Sequence, residues 1–329
     1  MRLLMQLRPH VDWSLAKKLA GRLLADLPDA TRPEAHQSVG SLRVAARRGG
    51  ELAVRFSGLD GEPAPRVAVT DRDGWAHGMT VMADAVIGTL PMRTRSEGLR
   101  KRLVGLGYGS LSGVAMGFVG RQLLGQYDAF SPEPTLYLIA PNIVAMQRAR
   151  RLVPKDFHLW VAIHEQTHAV QFSAAPWLGE YLRERFVAIA TDDLSASGAL
   201  RNLTAGRGAA SAVASPEGHS ALDEMSAAMT LVEGHADFVS DAVGRRNVPT
   251  VAQLRKAFAR DAGPSRLAKL MPAVDKTAQY RDGLAFCRKV AGRVGRRGLA
   301  RAFEAPENLP TAAEIADPAE YLRRVHGKA

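Results

Sequence analysis

The sequence predicts a predominantly helical α+β protein, and three observations predict it. Apolar residues recur at helical spacing through most of the 329 residues. Only two short runs, RVAVT at 66–70 and TLYLI at 135–139, read as strands, each bounded by turn residues or prolines. Apolar residues recur from Phe157 to Phe172 with no internal Gly or Pro, as a buried or half-buried helix requires, yet the segment carries His164, Glu165 and His168. With 46% hydrophobic and 23% charged residues the chain is ordinary in composition and long enough for one large or two ordinary domains. The expected division places a helical region with a short strand at 1–92, packed on a larger part at 93–329.

In chain order, Val11 to Leu27 is expected to form an amphipathic helix. A second runs from Thr31 to Arg48 and is stopped by Gly49-Gly50. After the strand at 66–70, a helix follows over Asp71 to Leu90. Leu103 to Gly120 holds 18 uncharged residues, the length of a membrane span, but its glycines and serines make it too weakly hydrophobic for one. Gly109, Gly113 and Gly117 at every fourth position instead suggest a tightly packed helix face. Asn142 to Leu152 leads into the His-bearing helix, whose N-cap is expected at Asp156. Pro176 to Thr191 is helical, and the Ala, Gly and Ser-rich stretch from Ser195 to Gly218 reads as a mobile loop or lid. A helix through Met225, Ala228, Met229, Val232 and Val239 ends at Gly244. Helices then follow at Val251 to Arg260, Ser265 to Met271 and Val274 to Val294, with two short ones at Thr311 to Asp317 and Pro318 to Val325.

Bulk chemistry narrows the function classes. A single cysteine, Cys287, excludes an intrachain disulfide and a cysteine-based metal cluster. The N-terminal apolar run is broken by Arg8 and Pro9, too early for a signal peptide, so a cytoplasmic protein with no membrane span is expected. The net charge of +11 comes from scattered arginines without interleaved aromatics, which predicts no specific nucleic-acid partner. A basic surface attracted to acidic molecules accounts for the same charge.

The chemistry concentrates in His164-Glu165-Gln166-Thr167-His168. Side chains four apart on a helix stack on one face, so two imidazoles can grip one metal ion with a carboxylate beside them. With nine His in the chain, such a pattern arises by chance about once in a hundred sequences of this kind. Two ligands do not complete a catalytic zinc site, which takes three and leaves a fourth position open. Glu233 and Asp237 lie four apart on a second helix. One carboxylate there can bind the metal while the other accepts a hydrogen bond from a ligating His; His235 is the rival third ligand. A donor for a developing oxyanion is also needed, and Tyr280 is the candidate, followed by His219 and His235.

HExxH followed by ExxxD resembles the gluzincin class of metallopeptidases. That resemblance makes His164, His168 and Glu233 the zinc ligands, Glu165 the general base and Asp237 the carboxylate supporting a ligand. A wider succession carries a second resemblance: VDWSLAKKLAGRL, VTDRDGW, GQYDAF, LIAPNIV, DFHLWVAIHEQTHAVQF, PWL, LVEGHADFVSDAVG, QYRDGLAF and LPTAAEIADP. Together these resemble the zinicin-like metallopeptidase type 2 family of actinobacteria and related bacteria, often labelled as associated with biosynthesis of the deazaflavin coenzyme. The resemblance implies a zincin-like fold with a small β-sheet beside the HExxH helix and a Zn2+-dependent hydrolase of a peptide or amide substrate. In zinc peptidases an edge strand beside the site often pairs with the substrate backbone, and TLYLI is the candidate, with an ordinary packed strand as the alternative. A zinc-binding scaffold without catalysis is the alternative.

Overall fold

The computed structural model describes residues 11–25, 30–88, 99–191, 215–260 and 279–327. Helices α1 (Trp13–Leu23) and α2 (Arg32–Ser57) precede strand β1 (Val67–Thr70) and helices α3 (Arg72–Ile87) and α4 (Leu99–Gly120). Strands β2 (Gly125–Asp128) and β3 (Thr135–Ile139) follow, then α5 (Ala140–Ala149), α6 (Pro154–Ala174) and α7 (Trp177–Thr191). The remainder is helical: α8 (Pro216–Ala242), α9 (Gly244–Asn247), α10 (Val251–Arg260), α11 (Gln279–Ala300), α12 (Ala312–Ala316) and α13 (Pro318–His326). The α+β class and the small sheet are as the sequence predicts. The expected boundary near residue 92, most of the expected loop at 195–218 and the expected helix at 265–271 fall outside the described residues.

Helix α6 contributes to two of the three cores among the described residues. Its residues from Phe157 to Gln171 are buried on nearly every face, which is why the segment has no polar stripe. Phe157, Trp160, Val161 and Ile163 join a core with α2, α5, α8 and α10. Val170, near the other end, joins a second core with α7, α8, α11 and the C-terminal helices.

Helix α2 corrects the sequence reading. Thr31 and Glu34 form a reciprocal cap at its start, but the helix runs through Gly49-Gly50 to Gly58, whose φ of 81° ends it. The glycine pair is a contact surface instead. A Cβ on Gly49 would lie 2.9 Å from the Ala162 carbonyl carbon, and one on Gly50 would lie 2.8 Å from Pro63. Gln166 secures the same seam: its amide donates to the Ala46 carbonyl at 3.1 Å and its oxygen accepts from the Ala64 N–H at 2.8 Å.

Asp156 is not the cap of α6. Val153 holds that position without a side-chain bond, and Pro154 supplies the first turn. The Asp156 carboxylate instead accepts from the Thr250 N–H at 2.8 Å and its hydroxyl at 2.7 Å, tying α6 to the start of α10. The glycine stripe of α4 does pack as expected, closing on Asp12, Ala16 and Leu23 of the α1 segment. No helix among the described residues is long and apolar enough to cross a membrane.

The sheet order is β1-β3-β2, with β1 parallel and β2 antiparallel to β3. TLYLI is therefore the central strand, and the expectation that it forms the edge beside the site is wrong. Its nearly uninterrupted apolar run fits a strand covered on both faces. Among the described residues β1 and β2 are the two edges, and β2, whose sequence GQYD carries no strand signal, is the one that touches α6 at Glu165.

The α2–α6 seam makes a sharp prediction. Gly49→Ala forces a methyl into the α6 backbone and should destabilise by about 1–3 kcal/mol. Gly40→Ala on the exposed part of the same helix, with nothing within 4 Å, should stabilise by about 0.5–1 kcal/mol. Chemical denaturation of the two variants tests the contrast.

Candidate metal centre

Helix α6 contributes His164, Glu165 and His168, and α8, crossing it, contributes Glu233 and Asp237. The two imidazoles stand nearly perpendicular, with ring centroids 5.0 Å apart. His164 Nε2 lies 3.5 Å from Glu233 Oε2, and His168 Nε2 lies 3.6 Å from Glu233 Oε1. One donor atom from each of the three residues falls within 4.8 Å of the others. Four donors around a zinc ion at its usual bond lengths sit about 3.4 Å apart, so the two nitrogen–oxygen separations suit a shared cation. The donor set of two imidazoles and one carboxylate also suits zinc better than the all-oxygen preference of calcium or magnesium.

The surroundings call for positive charge. Burial alone would lower the His164 pKa, but hydrogen bonds and charges from Asp237 and Glu233 raise it to about 9. Its Nδ1 lies 3.3 Å from Asp237 Oδ1, leaving Nε2 on the Glu233 side. Asp237 is held in turn by Arg255, 3.4 Å away, which also reaches the Asp237 carbonyl at 3.2 Å and Asp241 at 2.8 Å. The Arg255 guanidinium sits over the Trp160 ring at 5.3 Å, and Arg288 meets the other oxygen of Asp241 at 2.7 Å. On the second imidazole, His168 Nδ1 lies 3.0 Å from Gln171 Oε1. Glu233 keeps a quarter of its side-chain surface exposed, so the cluster is open on that side.

Glu165 is only 2% exposed and lies against the edge strand. A Cβ on Gly125 would come within 2.7 Å of Glu165 Cγ, so glycine at this position of β2 makes room for the acid. Neither rival histidine belongs to the cluster. His235 is fully buried, and desolvation pushes its pKa down to about 4 despite the Ser57 carbonyl. Its ring points toward Ser57 and Gln171. His219 is exposed in the first turns of α8 with Nδ1 2.8 Å from the Ser215 carbonyl. Tyr280 opens α11, but its side chain lies outside the described residues.

Three site residues escape sequence reasoning. Gln171 could have been found, since it stands one helical turn from His168 on the same face. Arg255 and Gly125 reach the site only through the tertiary packing of α10 and β2, and no local spacing marks them.

A model of the zincin-like metallopeptidases matches residues 11–322. The chain belongs to this family. In a search of solved structures it is similar to a protein from Chloroflexus aurantiacus described as a "putative hydrolase with a novel fold", with 28% identity and a TM-score of 0.72 over 97% of this chain and 100% of that one. No curated protein matches it. Membership of the zincin-like family implies a bound metal, usually zinc, and the His164, His168 and Glu233 group can hold one.

Arg255 supplies the test of this geometry. Arg255→Met removes the charged hydrogen bonds joining Asp237 to Asp241 and should cost about 1.5–3 kcal/mol in chemical denaturation. Arg43→Met on the exposed face of α2 should change stability by less than about 0.5 kcal/mol.

Proposed function

We propose that this protein is a zinc-dependent hydrolase of a peptide or amide bond, with His164, His168 and Glu233 as ligands and Glu165 as the general base. The observation that carries the reading is the convergence of the three donors within 4.8 Å, next to the residue separating the two imidazoles' turns of helix. When bound there, zinc supplies a Lewis acid that makes water nucleophilic at neutral pH.

The chain's own residues do the rest. Asp237 orients His164 and favours the tautomer whose free lone pair is on Nε2. Glu165, withdrawn from bulk solvent, takes the proton of the attacking water as oxygen adds to the substrate carbonyl carbon. It passes that proton to the nitrogen as the carbon–nitrogen bond breaks. Burial strengthens each of these electrostatic contacts and keeps the carboxylate where the proton must be handed over.

The edge strand supports a substrate with an extended backbone. Among the described residues β2 has no neighbour on the side away from β3, so its backbone groups can add a further strand. Gly125 at one end of β2 touches Glu165, so a chain laid along this edge would pass the base.

Glu165→Gln should leave zinc stoichiometry unchanged and lower turnover about 10²–10⁴-fold in a peptide-library cleavage assay. His168→Ala should lose the metal and the activity together, and chelation of the wild type should abolish cleavage until zinc is restored. Full activity in Glu165→Gln would remove Glu165 from the base role.

A further inference from the structure

Behind His168 runs a chain of hydrogen bonds whose direction is fixed by its ends. The Ser57 carbonyl only accepts, so His235 Nε2, 3.1 Å away, must carry a hydrogen. The Val232 carbonyl also only accepts, so the Gln171 atom 2.8 Å from it is the amide nitrogen. That same nitrogen faces His235 Nδ1 at 3.0 Å, which therefore presents a lone pair. The remaining Gln171 atom is its oxygen, 3.0 Å from His168 Nδ1, and an oxygen there requires a hydrogen on Nδ1. Gln171 and His235 are both fully buried, so no solvent relaxes the pattern. Turning the Gln171 amide over would set its oxygen against the Val232 carbonyl and its nitrogen against the Nδ1 hydrogen, leaving buried groups unsatisfied.

We infer that Gln171 and His235 are positioning residues that lock His168 with its hydrogen on Nδ1 and its lone pair on Nε2, the atom facing Glu233. The inference rests on the reading of His168 as a metal ligand. The two imidazoles are then held by unlike means: His164 by the anionic Asp237, His168 by a neutral amide anchored on the Val232 carbonyl and on His235. A neutral partner fixes the second ring without adding a further carboxylate to the cluster.

The test uses the full chain and two readouts. Long-range ¹H–¹⁵N spectra of histidine-labelled protein, taken after chelation, should show the neutral His168 ring with its hydrogen on Nδ1. In Gln171→Leu that preference should be lost, and zinc affinity, read by competition with a chromophoric chelator, should fall about 10–100-fold. Gln171→Glu, which keeps an acceptor facing His168, should restore the Nδ1 hydrogen and most of the affinity, and His235→Leu should fall between wild type and Gln171→Leu. A wild-type His168 with its hydrogen on Nε2 alone, or a folded Gln171→Leu with zinc affinity within twofold of wild type, would overturn the inference. Should Gln171→Leu not fold, the wild-type spectrum and Gln171→Glu decide it. A wild type that takes up no zinc would defeat the proposed function, while the spectra would still read the hydrogen-bond chain.

Discussion

The structure depends on the crossing of α6 and α8. Two histidines one turn apart on a buried helix meet a carboxylate from a second helix, and the three donors share one small volume. Burying such groups is costly unless each polar atom is matched. The fold supplies partners: Asp237 for His164, Gln171 for His168, and Arg255 for Asp237. On the proposed reading a cation between the three residues completes the balance, and Asp237 and Glu233 already raise the His164 pKa to about 9.

The rest of the molecule holds that crossing still. Helix α2 lies in contact with α6 through two glycines and Gln166, and Asp156 ties the start of α6 to the segment that delivers Arg255. The sheet presents its edge, not its centre, to the site, and Gly125 on that edge lets Glu165 sit close to it. A buried carboxylate pressed against a strand edge is what the proposed cleavage of an extended chain calls for.

The site was more legible in the sequence than the fold around it. HExxH and ExxxD are helical spacings, and a four-residue separation sets a shared face without any tertiary knowledge. Leu103 to Gly120 was also legible, because glycines at every fourth position argue for close helix packing. Gly49-Gly50 misled because glycine serves both helix ends and close approaches, and only the position of α6 distinguishes them. Asp156 misled in a similar way, its acceptor being claimed by Thr250 in place of its own helix. GQYD has no β-branched residue to announce a strand; β3 recruits it through backbone pairing. Arg255 stands 18 residues from Asp237 across a turn and a short helix, a distance at which spacing carries no information.

The central claim is that a single cation sits between two imidazoles of α6 and one carboxylate of α8. Anomalous diffraction at the zinc edge from crystals of the zinc-loaded full chain tests it most directly. The account predicts one strong peak about 2.0–2.2 Å from His164 Nε2, His168 Nε2 and a Glu233 carboxylate oxygen. Stoichiometric zinc with its peak elsewhere, or with Glu233 turned away from it, would contradict the account.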